Sequence, residues 1–295
     1  MEKVKKAIRN PKSILIFLVI KMSYLFSDAL YLKLLYKLKF DRKLDLKSPK
    51  TFNEKLNWLK LNDHNPRYTI MADKYLVKDY VASIIGEEYV VPCYGVWDSV
   101  DDIKIKTLPK KFVLKANHDS SGAYIVKNGI IPEYVKEKYR KLLKRNYFYF
   151  RREWVYKNIS PKILAEECLI GEDGEIIKDY KFLCFNGIPR LMYCTNKSTN
   201  IFENYYDMDF NPVNIRHGFR RQVPEFEKPE KFDLMKELAA KLSKDIPVVR
   251  VDFFYIDNKV YFAEYTFYDW AGLRPFDDYE WDKKLGEWIV LPNKL

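Results

Sequence analysis

Histidine is nearly absent: His64, His118 and His217 are the only three in 295 residues. A histidine-built metal cage is therefore unavailable. Each lone imidazole reads as structural or exposed rather than catalytic. Cysteine is sparse too. Cys93, Cys168, Cys184 and Cys194 form no CxxC pair, and each sits among apolar residues. They read as buried free thiols of a reducing cytosol, not as zinc ligands. No GxxxxGK[ST], GxGxxG, HExxH or GxSxG occurs. That disfavours a P-loop NTPase, a dinucleotide-binding Rossmann unit, a zincin and an α/β-hydrolase. Long apolar runs are missing as well. The N-terminal "MEKVKKAIRNPKSILIFLVIKM" holds one run, Ile14 to Ile20, which Lys21 interrupts. It falls short of the ~20 residues that span a bilayer, and no small-residue cleavage site follows it. A helix packed on the domain is the plain reading. A helix lying on the membrane surface, drawn there by the polybasic start, is the alternative.

What is present is a globular composition, 47% hydrophobic and 16% aromatic. The length suffices for two lobes around a sizeable core. Lys and Arg number 52 against 41 Asp and Glu, a net +11. That balance suggests an anionic partner such as a nucleotide, an anionic glycan, nucleic acid or a membrane surface. Lysine-rich stretches such as "VKEKYRKLLKR" read more simply as solvated helix faces. No RNA- or DNA-binding motif is present, so nucleic acid carries little weight.

Residues 1 to about 65 read as helical. "SDALYLKLLYKLKF" starts at a Ser27 or Asp28 cap, and "SPKTFNEKLNWLKLND" has Thr51 and Glu54 in capping-box spacing. A helix from about Asp73 stops at Gly86, and a short strand follows around Val90 to Pro92. "KKFVLKANHDSSGAYIVKNG" is strand, loop, strand; "PEYVKEKYRKLLKRNYF" is an amphipathic helix. Further strands follow with turns at Gly171, Gly174 and Gly187, then a helix in "KPEKFDLMKELAAKLSKD". Strands and helices mix without strict βαβ alternation, which predicts an α+β fold with antiparallel sheets.

The stretch "VVRVDFFYIDNKVYFAEYTF", Val248 to Phe267, reads as a hairpin that carries charge where a sheet wants apolar residues. Arg250 and Asp252 share one strand face, and so do Glu264 and Thr266. A two-residue turn at Asp257–Asn258 would pair Val251 with Glu264 and split the carboxylates between faces. A three-residue loop, Asp257 to Lys259, would pair Asp252 with Glu264. Two carboxylates so opposed repel each other unless a cation neutralises them. A divalent cation bound to nucleotide phosphates would do so, with Arg250 beside it to hold a phosphoryl group. The competing reading is a surface hairpin whose charges face water.

The chain resembles the ATP-grasp superfamily, in particular its TupA-like branch associated with bacterial surface-polysaccharide biosynthesis. The resemblance runs from about Thr51 to the C-terminus through "TFNEKLNWLK", "ADKYLVKDYV", "FVLKANHDSSG", "REWVYKNISPKILAEECL", "DYKFLCFNGIPR" and the hairpin. It implies two lobes with antiparallel sheets that clasp ATP, after an N-terminal helical segment. The chain then divides into 1–65, a first subdomain at 66–110, a small nucleotide-clasping lobe at 111–165 and a large lobe at 166–295. Lys74 and Lys115 match the two nucleotide-contacting lysines. Ser120, Ser121 and Gly122 match the loop that closes over the phosphates. Glu166 and Glu167 match the strand that holds adenine, with Leu169 as an apolar contact. Asp179 falls where ribose hydroxyls are bound, and Lys181 is a further phosphate or carboxylate contact. Asp252 and Glu264 are the implied Mg²⁺ ligands. The superfamily hairpin reads R-x-D then E-x-N, and here the last position is Thr266, a third implied metal residue whose hydroxyl ligates Mg²⁺ or orients its water. Arg274 is a candidate anchor for the acceptor's carboxylate.

The activity so implied is an ATP- and Mg²⁺-dependent carboxylate–amine ligation through an acyl phosphate, with Arg250 and Lys115 catalytic. The implied carboxylate belongs to a uronic acid of a glycan or sugar nucleotide, and the amine to an amino acid or amino alcohol. The implied location is the cytoplasm, at the inner face of the membrane if the N-terminal helix touches lipid. A sugar or glycan kinase on the same fold and a non-catalytic polysaccharide-assembly protein are the alternatives.

Overall fold

The structure is a computed structural model that describes residues 11–119, 122–169, 178–196, 202–223 and 225–293. The expected turns at Gly171 and Gly174, and Ser120 and Ser121, lie outside the described residues. In chain order the helices and strands are α1 (Pro11–Lys21), α2 (Asp28–Phe40), α3 (Phe52–Asn62), α4 (Arg67–Ala72), α5 (Val77–Ile85), β1 (Cys93–Trp97), β2 (Phe112–Ala116), β3 (Tyr124–Val126), α6 (Glu133–Leu143), α7 (Phe148–Arg151) and β4 (Ile163–Glu166). There follow β5 (Lys178–Phe185), β6 (Ile188–Asn196), β7 (Phe202–Tyr206), β8 (Pro212–Val213), α8 (Phe232–Leu242), β9 (Val248–Ile256), β10 (Lys259–Thr266) and α9 (Tyr279–Glu287).

Two antiparallel sheets form, as an α+β reading predicts. The smaller has the order β1-β4-β2-β3 and the larger β10-β9-β5-β6-β7-β8. Each encloses its own apolar cluster. Phe112, Leu114, Val126, Tyr139 and Ile163 fill the small lobe. Phe182, Phe185, Phe232, Val251 and Phe253 lie in the large one. A third cluster joins α1 and α2 through Val19, Tyr31, Leu32 and Leu35, and Leu273 from the far end of the chain plugs into it. β1 pairs with β4 inside the small sheet, and Glu166 ends β4. The early strand covers Cys93–Trp97 rather than Val90–Pro92. Val90 instead forms a lone bridge to Phe262.

Local rules account for several elements. Thr51 caps α3, accepting from the Glu54 amide, while the Glu54 carboxylate accepts from the Thr51 amide at 3.1 Å. That closes the capping box. The helix expected from about Asp73 begins at Val77, and a separate short helix, α4, ends just before Asp73; between them the Asp73 carboxylate accepts from the amides of Tyr75 (2.8 Å) and Leu76 (3.3 Å). An aspartate that bonds its own downstream backbone competes with helix propagation and turns the chain. The break places Lys74 at a corner, where its amide donates to the Asn117 carbonyl at 3.1 Å. Asn117 is fully buried and also donates from Nδ2 to Asp73 (2.8 Å) and to the Ser160 carbonyl (2.9 Å). One asparagine after β2 thus fixes the corner that carries Lys74.

No helix among the described residues is long and apolar enough to cross a membrane. α1 leaves Leu15, Phe17 and Leu18 exposed, and Tyr24 and Leu25 beyond it are exposed as well.

Candidate active site

The hairpin of β9 and β10 turns at Asp257–Asn258, whose φ values are 47° and 57°. This is the first of the two alternatives, a two-residue turn of the type that suits the right-handed strand twist, not a three-residue loop. Yet Asp252 stands opposite Glu264 and Arg250 opposite Thr266. A bulge at Ala263 reconciles the two, since the register shifts between Phe262 and Glu264. One extra residue flips the face of everything after it. Val260 and Phe262 point into the core before the bulge, and Tyr265 and Phe267 after it.

The opposite face of the large sheet is therefore charged. Lys181 on β5 pairs across with Asp252, and Tyr193 on β6 pairs across with Lys181. Arg250 grips Asp252 with two parallel bonds, Nε to Oδ1 and an η-nitrogen to Oδ2, both 2.7 Å. The same guanidinium reaches Glu264 at 3.3 Å, Asp269 at 2.6 Å and the Tyr193 hydroxyl at 2.8 Å. Lys181 lies 2.9 Å from Asp179 and 3.4 Å from Asp252, and Lys74 lies 3.4 Å from Glu264. The opposed carboxylates do not face each other bare, as the sequence suggested. Three cations, Lys74, Lys181 and Arg250, intervene among four carboxylates, Asp179, Asp252, Glu264 and Asp269. The cluster is left one negative charge in excess.

Electrostatics follow from burial and this excess. Burial raises the Asp252 carboxyl, with Arg250 and Lys181 opposing and Glu264 adding to the rise. Burial also opposes ionisation of Glu264, but Lys74 and Arg250 hold its carboxyl below the usual value. Burial would lower Lys181, yet Asp252 and Asp179 keep it above the ordinary lysine value. No group of three or more His, Cys, Asp or Glu that could hold an ion is found among the described residues. Mg²⁺ is usually held by one or two carboxylates together with substrate phosphates rather than by an all-protein cage. Asp252 and Glu264 supply such a pair, and the Thr266 side chain shares their face.

Across the cleft the small sheet supplies more charge. The Glu166 carboxylate lies between two lysines, bonded to Lys115 and 2.6 Å from Lys78. Burial would raise Glu166, but Lys115 and Lys78 pull its carboxyl below the usual value. A slot of about 20 Å³ there is lined by Lys74, Lys78, Lys115 and Glu166 together with Val90, Val91, Phe254 and Phe262. Glu167 at the strand exit donates its amide to the Pro92 carbonyl at 2.9 Å, with Leu169 half-buried beyond it. Gly122 is buried, and its carbonyl accepts from the Tyr139 hydroxyl.

At the end of the cleft a cavity of about 440 Å³ is lined by Tyr156, Lys181, Arg250, Glu264, Thr266 and Trp270, among others. The stretch Trp270–Ala271–Gly272 is left-handed throughout, with φ of 48°, 56° and 56°. Lys60 pins it, donating to the Ala271 carbonyl at 2.6 Å and to the Arg151 carbonyl at 3.1 Å. Glu153 lines the same cavity. Burial raises its carboxyl well above the usual range, with Lys60 and Arg151 opposing. Arg274 does not line this cavity. Its guanidinium stacks on Phe219 at 3.9 Å and on Trp270 at 4.2 Å.

A family model described as "TupA-like ATPgrasp" matches residues 54–290. The chain belongs to the TupA-like ATP-grasp family. Solved ATP-grasp structures are similar to it at low identity. The D-alanine–D-alanine ligase from Helicobacter pylori is 16% identical over 75% of this chain and 59% of that one, with a TM-score of 0.40. The D-alanine–D-alanine ligase from Bacillus anthracis complexed with ATP is 17% identical over 67% and 53%, with a TM-score of 0.38. An L-amino acid ligase from Bacillus licheniformis is 12% identical over 81% and 55%, at 0.44. This ATP-grasp chain thus spans little more than half the length of those proteins. No curated protein matches it.

The ATP-grasp structure brings together Lys74, Lys181, Arg250, Asp252, Glu264 and Thr266, with Asp179 on Lys181 and with Lys115 and Glu166 facing them. It separates Arg274 from the cavity at the cleft's end. Sequence reasoning missed Lys78, Glu153, Tyr193 and Asp269. Lys78 had a signal, since it lies one helical turn after Lys74. Asp269 and Tyr193 had none: the sheet order puts Tyr193 beside Arg250, and the turn after β10 brings Asp269 there.

Proposed function

We propose that the protein is an ATP- and Mg²⁺-dependent carboxylate–amine ligase. Its acceptor is a uronic acid of a bacterial surface glycan or of its sugar-nucleotide precursor, and its amine an amino acid or amino alcohol. One observation carries the reading: Lys78 and Lys115 gather on Glu166, Lys74 reaches Glu264, and the Arg250–Asp252–Glu264 cluster borders a 440 Å³ cavity. Phosphates with their Mg²⁺ fit between the lysines and the carboxylate cluster, and an acceptor fits in the cavity.

In this reading Lys74, Lys78 and Lys115 hold the phosphates of ATP. When bound, Mg²⁺ neutralises charge on the phosphate oxygens, and Asp252, Glu264 and the Thr266 hydroxyl hold it. An acceptor carboxylate oxygen attacks the γ-phosphorus, and ADP leaves with the electron pair of the broken bond. Arg250 stabilises the charge that builds on the transferring group. The amine nitrogen then attacks the acyl carbon, inorganic phosphate leaves, and an amide remains. Glu153 takes the proton that the amine must lose. Its raised carboxyl is protonated at low pH and cannot accept there. Activity is therefore expected to fall as pH drops through a value above the ordinary carboxylate range. In Glu153→Gln the rate should be lower and that acid limb flattened. An unchanged limb in the pH–rate profile would remove Glu153 from the step.

Lys115→Met is expected to weaken ATP binding about tenfold or more, on the basis of ~1.5–3 kcal/mol for a charge-assisted contact. Glu166 keeps Lys78, so the fold should persist. Titration calorimetry checks this, and unchanged affinity would free Lys115 of the phosphates. The function itself is tested by an ADP-release screen that crosses uronic-acid sugars with amines, with mass spectrometry of the product. ADP formed only when both partners are present, with a product heavier by amine minus water, supports the ligase. ADP formed with the sugar alone and a phosphorylated product would replace it with a kinase.

Exposed apolar side chains on α1, with Lys12 and Lys21 at its ends, support a contact between this segment and an anionic membrane surface.

A further inference from the structure

A second cavity, of about 400 Å³, opens beside the one at the end of the cleft and shares Arg151 and Trp270 with it. Its other walls come from both ends of the chain: Lys12 and Lys39 from the N-terminal helices, Arg274 and Pro275 from the loop before α9. Four of its lining residues are cationic and none is acidic. Lys12 is matched by Asp41 at 2.6 Å. Lys39, Arg151 and Arg274 form no ion pair among the described residues, although each is only partly exposed. Burial lowers Lys39, and the charges of Arg151 and Arg274 lower it further, so the three repel one another. The aromatic faces that flank Arg274 hold its guanidinium in place at a cost in hydration. Glu203, Asp269 and Asp277 partly offset Arg274, but no carboxylate lines the cavity, and three cations gathered there without an ion pair among the described residues suit an anion of more than one charge. Two of them are planar guanidinium forks, which suit phosphate oxygens.

We propose that this cavity binds the phosphate groups of the acceptor, which is then a sugar diphosphate, and that the N-terminal helices build half of the acceptor site. The inference rests on the ligase reading. The acceptor's carboxylate enters the cavity at the end of the cleft, its sugar ring passes Trp270, and its diphosphate lies among Lys39, Arg151 and Arg274. Such a group can belong to a soluble nucleotide sugar or to a lipid-borne sugar.

The test is calorimetric titration of pyrophosphate into the full chain, saturated beforehand with Mg²⁺ and a non-hydrolysable ATP analogue so that the nucleotide subsite is filled. One pyrophosphate per chain is expected. Lys39→Gln should weaken it about tenfold and should fold, because the change relieves repulsion. Lys37→Gln is the control: it removes the same charge from the same helix, where Lys37 bonds the Asp41 carbonyl at 3.1 Å. It should change affinity less than twofold, since a solvated charge is screened. No binding, or equal losses in the two variants, would overturn the site. Competition by phosphatidylcholine vesicles containing phosphatidic acid would mark the diphosphate as lipid-borne; binding without competition would mark it as soluble. A chain that releases ADP with acceptor and amine but ignores pyrophosphate would sink this inference alone. Pyrophosphate binding without any ADP release would count against the ligase alone.

Discussion

Asp252→Asn and Glu264→Gln should each cut ADP release at least a thousandfold, yet leave the ligand-free protein as stable as the parent or more so. The two effects come from one cluster. Four carboxylates, Asp179, Asp252, Glu264 and Asp269, are matched by three cations. Removing one anion balances the charge, and Arg250 keeps two other carboxylates. Asp252 is 1% exposed, so its desolvation is not offset by solvent. The amide is nearly the same size and pays no such cost. Turnover is another matter, because an amide is a poor ligand for a hard cation and the phosphates then lack their counterion. Stabilisation by Mg²⁺–ADP should also shrink in each variant. The double variant should lose little more activity than either single one, since the pair acts as one unit. Thermal melts with and without Mg²⁺–ADP, alongside ADP release, decide the matter. Parent-level turnover in both variants would defeat the assignment.

Arg250→Met should do the reverse to stability. It leaves the same four carboxylates with two lysines, and two of the four, Asp252 and Asp269, are almost fully buried. Removing one partner from a buried ionic network costs about 3–5 kcal/mol, and a loss of at least 3 kcal/mol is expected without ligand. Turnover should fall about a thousandfold, as when one stabilising donor to a developing charge is lost. Mg²⁺–ADP should raise the melting temperature more in Arg250→Met than in the parent, because the metal restores positive charge among the carboxylates. A variant that melts with the parent in the absence of ligand would show that Arg250 is not what holds the cluster together.

Much of this site was legible in the sequence, for reasons that can be named. An arginine and two carboxylates among Val, Tyr and Phe could not all face a core. Strand alternation put Arg250 with Asp252 and Glu264 with Thr266 before any register was known. The register itself was reached by the wrong device. Turn length alone allows Asp252 to oppose Glu264 only through a three-residue loop, whereas the chain uses a two-residue turn and a bulge at Ala263. The signal was present: apolar residues fall at Val260 and Phe262 and then at Tyr265 and Phe267, so the alternation skips one position. The sequence predicts one helix from about Asp73 and none at Arg67–Ala72, whereas the chain forms α4 before Asp73 and α5 from Val77. The Asp73 side chain, not the apolar pattern, separates the two. Lys115 and Glu166 were read as separate contacts, and their ion pair follows only from the antiparallel packing of β2 on β4. Arg274 was placed at the acceptor's carboxylate by its position after the hairpin. Its stacking between Phe219 and Trp270 turns it toward the neighbouring cavity instead.

The central claim is that a carboxylate is activated by phosphoryl transfer and then captured by an amine. It is tested most directly with an acceptor whose carboxylate carries ¹⁸O. In the presence of ATP, Mg²⁺ and amine, each inorganic phosphate released should carry one ¹⁸O from that carboxylate, in step with the amide formed. Amide formation with unlabelled phosphate, or ADP formation with no free phosphate at all, would contradict it.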